Sequence, residues 1–375
     1  MHGMATASKR AEDGSGSLGN DEAMNNRAEV SRTHGPGKTI KFLFLHRTGT
    51  FHEAPLFTPD AAVKLTIKIK MKHISLPTSA LTLVALLGAV ATAAAEPYQF
   101  RVVASGLHRP TGIAARGNNT LYFTEVPTPG VNGMNGGSNA VSELNLRENA
   151  ITTLHMGEPE PVNLTVGRED TLYWTCKSAG VILEQDEDGV TTVFLSGLNK
   201  PNGVSVDRDD HVYFTQLPTP GVNGANGGSN SVSVSDGTTT VVLHMGEPEP
   251  TDIVVAKNGD LYWTCKSAGV ILEQTACDGM TRVLLNQLDK PVGIALDSSG
   301  RNLYFTEVPT PGLSGANGGR NKVWEFDLKK GVKTLVHGGD PEPTDITVAK
   351  NGKLYWTCTI AGVIVEASRS RGRDR

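Results

Sequence analysis

The chain has 375 residues, a formal net charge of −4 and 42 glycines. A near-neutral balance without a basic face gives no electrostatic case for nucleic acid. High glycine with few long apolar periodic runs fits an all-β chain rich in turns.

Residues 1–40 are polar, with no sustained period, and are expected to be disordered. Met71-Lys72-His73 is a short basic start; the apolar stretch 80–91 follows, then Ala93-Ala94-Ala95 before Glu96. A basic start, an apolar run and a small-residue junction describe a secretory signal peptide. Its internal position implies translation from Met71, with residues 1–70 a disordered or spurious extension. The alternative is a signal anchor over residues 74–95, interrupted by Pro77, Thr78 and Ser79. The expected organisation is therefore residues 1–70 as extension, 71–95 as signal, 96–367 as the folded domain and 368–375 as a basic tail. The mature domain is expected outside the cell as a monomer, membrane-attached only if the signal stays uncleaved.

One phrase recurs three times, as Leu121-Tyr122-Phe123-Thr124, Val212-Tyr213-Phe214-Thr215 and Leu303-Tyr304-Phe305-Thr306, each 91 residues after the last. A related phrase alternates with it: Leu172-Tyr173-Trp174-Thr175-Cys176, Leu261-Tyr262-Trp263-Thr264-Cys265 and Leu354-Tyr355-Trp356-Thr357-Cys358. Six units at spacings of 40 to 51 residues, built from short strands and turns, predict a six-bladed β-propeller of three tandem two-blade repeats. Apolar runs after a proline, such as Ile253-Val254-Val255, are the innermost strands; the aromatic phrases are the second strands and fill the space between blades. The sixth unit lacks a fourth strand, and Tyr98–Ala104 alternates without a blade of its own. Pairing the two closes the ring and removes both free edges.

Val102–Leu107, Arg109-Pro110-Thr111-Gly112-Ile113-Ala114 and Leu121–Glu125 resemble the NHL-repeat and SMP-30/gluconolactonase-like six-bladed propellers, over residues 97–367. The resemblance implies the architecture; the group includes lactonases, phosphotriesterases, an antibiotic lyase and non-catalytic binding modules.

Sorting the connections by face exposes an asymmetry. On the top face, His155-Met156-Gly157-Glu158-Pro159-Glu160-Pro161 and residues 244–250 agree letter for letter, and residues 337–343 nearly so, whereas bottom connections differ freely. A functional mouth is one explanation, demanding proline-rich turns another. Gly112, Gly203 and Gly293 of odd blades alternate with Asn163, Asp252 and Asp345 of even blades. With innermost strands roughly 7 Å from the axis, the latter side chains nearly converge, as candidate ligands of a hydrated calcium or magnesium ion or a sugar-like molecule. Glu160, Glu249 and Glu342 form an outer ring, and His155, His244 and His337 are candidate partners; turn capping is the alternative for the acids.

Cys176, Cys265 and Cys358 stand about 20 Å apart on this geometry, too far to pair, and are expected as packing residues. Glycine- and asparagine-rich connections at Pro127, Pro218 and Pro309 could cover the mouth.

The resemblance also implies a metal site with Asn or Asp directly after the proline of particular blades. Those positions hold Thr111, Val162, Asn202, Thr251, Val292 and Thr344, so Asn202 alone matches; Asp252 and Asp345 stand one residue later. Two functional readings follow: a secreted binding propeller with an acidic mouth for a cation or sugar-like small molecule, or a gluconolactonase-like hydrolase or lyase with a metal there. A threefold mouth favours binding, because catalysis needs unlike groups around one substrate.

Overall fold

The computed structural model describes residues 29–34, 38–43, 98–127, 129, 138–218, 229–311 and 320–369. The signal segment 71–95 and most of the three glycine–asparagine connections lie outside the described residues. The chain divides into two units, Met1–Ala91 and Thr92–Arg375. In the first, within the stretch read from composition as irregular, Glu29–His34 pairs antiparallel with Lys38–Leu43.

The second unit is a six-bladed β-propeller of four-stranded antiparallel sheets. Blade 1 runs outward through Pro110–Arg116, Thr120–Glu125, Ala140–Asn145 and Ala150–Met156. Blade 2 comprises Pro161–Val166, Leu172–Cys176, Val181–Gln185 and Thr191–Leu195. Blade 3 comprises Pro201–Val206, Val212–Gln216, Ser231–Ser235 and Thr240–Met245. Blade 4 comprises Pro250–Val255, Leu261–Cys265, Val270–Gln274 and Thr281–Leu285. Blade 5 comprises Pro291–Leu296, Asn302–Glu307, Lys322–Asp327 and Val332–Gly338. Blade 6 takes Pro343–Val348, Leu354–Cys358 and Val363–Arg369 from the end of the chain, and its outer strand, Tyr98–Ser105, from the start.

That closure has the predicted pairing, from Val363 opposite Ser105 to Arg369 opposite Tyr98. An ion-pair cluster pins it: Arg101 donates Nε and Nη2 to the two oxygens of Glu366, at 2.9 and 2.8 Å. Lys353 Nζ and Tyr355 Oη donate to the same carboxylate, each at 2.9 Å. Three donors, with Arg101 as the largest favourable influence, hold Glu366 below the usual carboxylate range against the opposing effect of burial.

Adjacent side chains of a strand face opposite ways, so the two aromatics of each phrase serve two interfaces. Tyr122 packs with Leu164 and Trp174 of blade 2, whereas Phe123 packs with Tyr355 and Ile364 of blade 6. The same division places Tyr304 against blade 6 and Phe305 against blade 4. Trp174, Trp263 and Trp356 are fully buried, and truncating any of them would cost about 3–5 kcal/mol.

A second device ties the blades near the channel. Every innermost strand shifts register between its proline and the apolar residue three positions on, as at Pro250/Ile253. The shift removes one backbone N–H from the ladder, at Gly112, Asn163, Gly203, Asp252, Gly293 and Asp345. Each donates to the threonine hydroxyl of the adjacent phrase at 2.8–3.2 Å. Five of those hydroxyls then donate to a carbonyl of the following blade at 2.6–3.3 Å. The repeated threonine is thus a clasp between neighbouring blades.

Candidate functional site

The site is the top end of the channel, where the innermost strands begin. The residue before the first proline of every blade adopts a left-handed backbone: Arg109 (φ 56°), Glu160 (59°), Lys200 (54°), Glu249 (59°), Lys290 (55°) and Glu342 (60°). Such a conformation is costly for non-glycine residues. Each carbonyl is held by the amide just beyond the second strand, as in Lys177 N–H to Glu160 O at 3.0 Å and Val126 N–H to Arg109 O at 3.1 Å. Around the mouth these residues alternate in sign, basic in odd blades and acidic in even ones.

Below them, Asn163, Asp252 and Asp345 meet on the axis. Asn163 Nδ2 donates to Asp252 Oδ1 at 3.1 Å and Asp345 Oδ2 at 3.5 Å. Asp252 also accepts the amides of Ile253 and Ile294, both at 2.8 Å. Asp345 accepts those of Ile346 at 2.7 Å and Ile113 at 2.8 Å. Each carboxyl therefore bridges its own blade to a neighbour. The odd-blade glycines make room: a Cβ on Gly203 would stand 2.6 Å from the Asp252 Cα, and one on Gly293 2.7 Å from the Asp345 Cα.

The two carboxyls lie within hydrogen-bonding reach of each other, and no basic side chain is among their partners in the described residues. Burial, offset in part by the backbone amides, pushes Asp252 up to about 7. Burial and then the charge of Asp252 push Asp345 well above the usual carboxylate range. Two carboxylates this close favour holding a proton between them.

Above this floor is a cavity of about 260 Å³, walled by Thr111, Val162, Asn202, Thr251, Val292 and Thr344, with Lys177, Lys266, Leu217 and Glu249 also lining it. Asn202 donates Nδ2 to Thr251 O at 2.6 Å. Lys177 pairs with Glu160 at 3.8 Å and Lys266 with Glu249 at 3.5 Å. The third repeat has Thr359 instead, bonded to Thr344 and to Pro110 O. The mouth is therefore only approximately threefold.

Asn163, Asn202, Glu249, Asp252 and Asp345 line one cavity, and Glu160 stands behind Lys177. Glu342 occupies the equivalent left-handed position in blade 6. The histidines stand elsewhere. His155 and His244 lie against Trp174 and Trp263 with ring centroids 4.8 Å apart, and His337 against Trp356 at 6.0 Å. Beside them Glu158 accepts from Trp174 Nε1 at 3.2 Å and Cys176 Sγ at 3.3 Å; Glu247 repeats this with Trp263 and Cys265. Asp340 accepts from Trp356 at 2.9 Å and pairs with His337 at 3.2 Å. The near-identity of the top connections thus has a packing cause.

Cys176, Cys265 and Cys358 are buried and unpaired, and Cys277 is exposed. Burial, reinforced by the adjacent carboxylate, pushes the three buried thiols far up, so they are inert. Sequence reasoning missed the threonine clasp and the lysines; the clasp's signal was a threonine in all six phrases.

No family model matches the chain. A curated relative, low-density lipoprotein receptor-related protein 1 of Pyricularia oryzae (strain 70-15), is 28% identical over 220 residues, covering 50% of this chain and 68% of that protein. Among solved structures, a calcium-binding protein, regucalcin, from Agrobacterium tumefaciens strain C58 matches with TM-score 0.55 and 14% identity, over 73% of this chain and 96% of that one. A putative gluconolactonase matches with TM-score 0.53 and 13% identity, over 72% and 92%. A streptogramin B lyase matches with TM-score 0.50 and 16% identity, over 73% and 98%. These likenesses define the class: an all-β, six-bladed propeller with neighbours among gluconolactonase-, regucalcin- and streptogramin-lyase-type structures. At such identities the likeness is one of fold.

Proposed function

We propose that the protein is a secreted propeller that binds a cation or a hydroxyl-rich, sugar-like small molecule at its top mouth, above Asn163, Asp252 and Asp345. The observation that supports this most is the pair of buried carboxyls on the axis, partnered by amides and, among the described residues, by no basic side chain. Buried carboxylates need a proton, a cation or strong donors to compensate them, and a ligand entering the mouth can supply these.

All the carboxyl donors at the floor are oxygens, which suits calcium or magnesium. Both oxygens of each carboxyl already accept a backbone amide, so the residues fit an ion held largely through its water shell, not one with about six to eight direct protein ligands. Asp252 and Asp345, with Asn163 beside them, would hold it, and it would supply positive charge to polarise a ligand oxygen. The calcium-binding regucalcin structure is consistent with this. Secretion rests on the signal-like segment 71–95, and N-terminal sequencing of the native protein should read from Glu96.

The second reading is a hydrolase or lyase, favoured by the unlike groups that Lys177, Lys266 and Thr359 bring to one mouth. One experiment separates the readings: thermal melts of the parent and an Asp252→Ala/Asp345→Ala variant with calcium, magnesium and a monosaccharide panel, beside turnover of sugar lactones and aryl esters. A ligand that raises the melting temperature of the parent by several degrees, and not that of the variant, supports binding at the floor. Silence of both proteins toward every ligand overturns it. Turnover abolished by Lys177→Met transfers the case to catalysis.

A further inference from the structure

Asparagine accepts an N-linked oligosaccharide within Asn-x-Ser/Thr, where x is not proline. Two positions of the chain satisfy that pattern, Asn118-Asn119-Thr120 and Asn163-Leu164-Thr165. As sequence they are equivalent. The fold separates them completely.

Asn118 is exposed at the bottom of blade 1, in the turn between its first and second strands. Its neighbours in the chain are tethered on both sides. Gly117 O accepts the amide of Lys350 from blade 6 at 3.1 Å, and Asn119 O accepts that of Leu146 at 2.7 Å. Thr120 is fixed as the first residue of its strand, opposite Arg116 and Asn145. A bulky group on Asn118 therefore breaks none of these bonds. Asn163 is buried on the channel axis, its Nδ2 directed to Asp252 Oδ1 at 3.1 Å. A Cβ on Gly112 alone would approach the Asn163 Cα to 2.8 Å, so no sugar fits beside it.

We propose that Asn118 carries a single N-linked glycan when the chain passes through a glycosylating secretory compartment, and that Asn163 stays bare in the folded protein. The donor is a polyprenyl pyrophosphate-linked oligosaccharide. Asn118 Nδ2 attacks C1 of the first sugar: the C1–N bond forms, the C1–O bond to pyrophosphate breaks, and the amide proton passes to a base of the transferase. The glycan then occupies the bottom face and leaves the mouth open. Transfer occurs on the unfolded chain, so a glycan at Asn163 would block channel assembly, and such molecules would be lost from the folded fraction.

The test expresses the full chain behind a cleavable signal of a eukaryotic secretory host. The monomeric product is digested with a peptide N-glycosidase and mapped by mass, and compared with Asn118→Gln and Thr165→Val. The parent and Thr165→Val should each lose the mass of one glycan, with deamidation at Asn118. Asn118→Gln should show no shift and melt together with the deglycosylated parent. A monomer without a glycan at Asn118, or one with a glycan at Asn163, overturns the proposal.

Discussion

Asp252 sits among amide donors with no full positive charge within hydrogen-bonding range in the described residues, which makes its protonation a term in stability. Burial raises its folded value to about 7 from an ordinary 3.8. A carboxyl raised in this way favours the fold when protonated: its contribution is complete below pH 3.8 and is lost as pH climbs through about 7. At full strength that difference is on the order of 4 kcal/mol, shared with Asp345. Melting temperature should therefore fall between about pH 4 and pH 7, and Asp252→Asn should flatten the fall and raise the value at pH 8. An unchanged slope in that variant would show that the pair is not the titrating unit. The choice of residue types here was legible in the repeats, where acids and an amide alternate with glycine. Their direct meeting was not, because it depends on the register shift that turns those residues inward.

Strands and their clasps form the next scale. Thr264 accepts the Asp252 amide at 3.1 Å and donates to Val292 O of the following blade at 2.7 Å. Thr264→Val keeps the shape but leaves a buried N–H and a buried carbonyl without that partner, a loss of about 2–4 kcal/mol. Thr191→Val, on an exposed outer strand, should stay within about 0.5 kcal/mol. Denaturant titration of the two variants reads the difference, and equal midpoints would rule out the clasp. Strand identities were legible because the aromatic phrases alternate with period two. The threonine's task was hidden, since the amide it accepts belongs to an adjacent strand whose register no single phrase reveals. The histidines show the same limit. His155 lies within the fourth strand Ala150–Met156 and leans on Trp174, although its phrase continues into the top connection. Glu158 and Glu160, two letters apart, go respectively to the tryptophan–cysteine pair and to Lys177.

For the whole molecule, the blade count and the closure were both written in the repeats, including the missing strand of the last unit. Closure concentrates risk in one seam. Arg101 is more than half exposed while its partner Glu366 is buried, and Lys353 and Tyr355 remain after Arg101→Ala, so that change should cost only about 1 kcal/mol. Removing residues 98–106 instead bares the third strand of blade 6 along its length. The shortened protein should melt much lower and associate as its concentration rises. A monomer with the parent's melting temperature would mean that the ring holds without the seam.

The same seam fixes how the propeller answers a mechanical load. Tyr98 and Arg369 are paired neighbours at the same end of two antiparallel strands, so the chain enters and leaves the ring at one point. Tension on both ends meets the interstrand bonds singly, beginning at Tyr98 and Arg369, and peels the strands apart like a zip. A shear geometry would have loaded those bonds together. A pulling measurement across the two ends should therefore record an early, low-force event that lengthens the molecule by the outer strand of blade 6, before any other blade gives way.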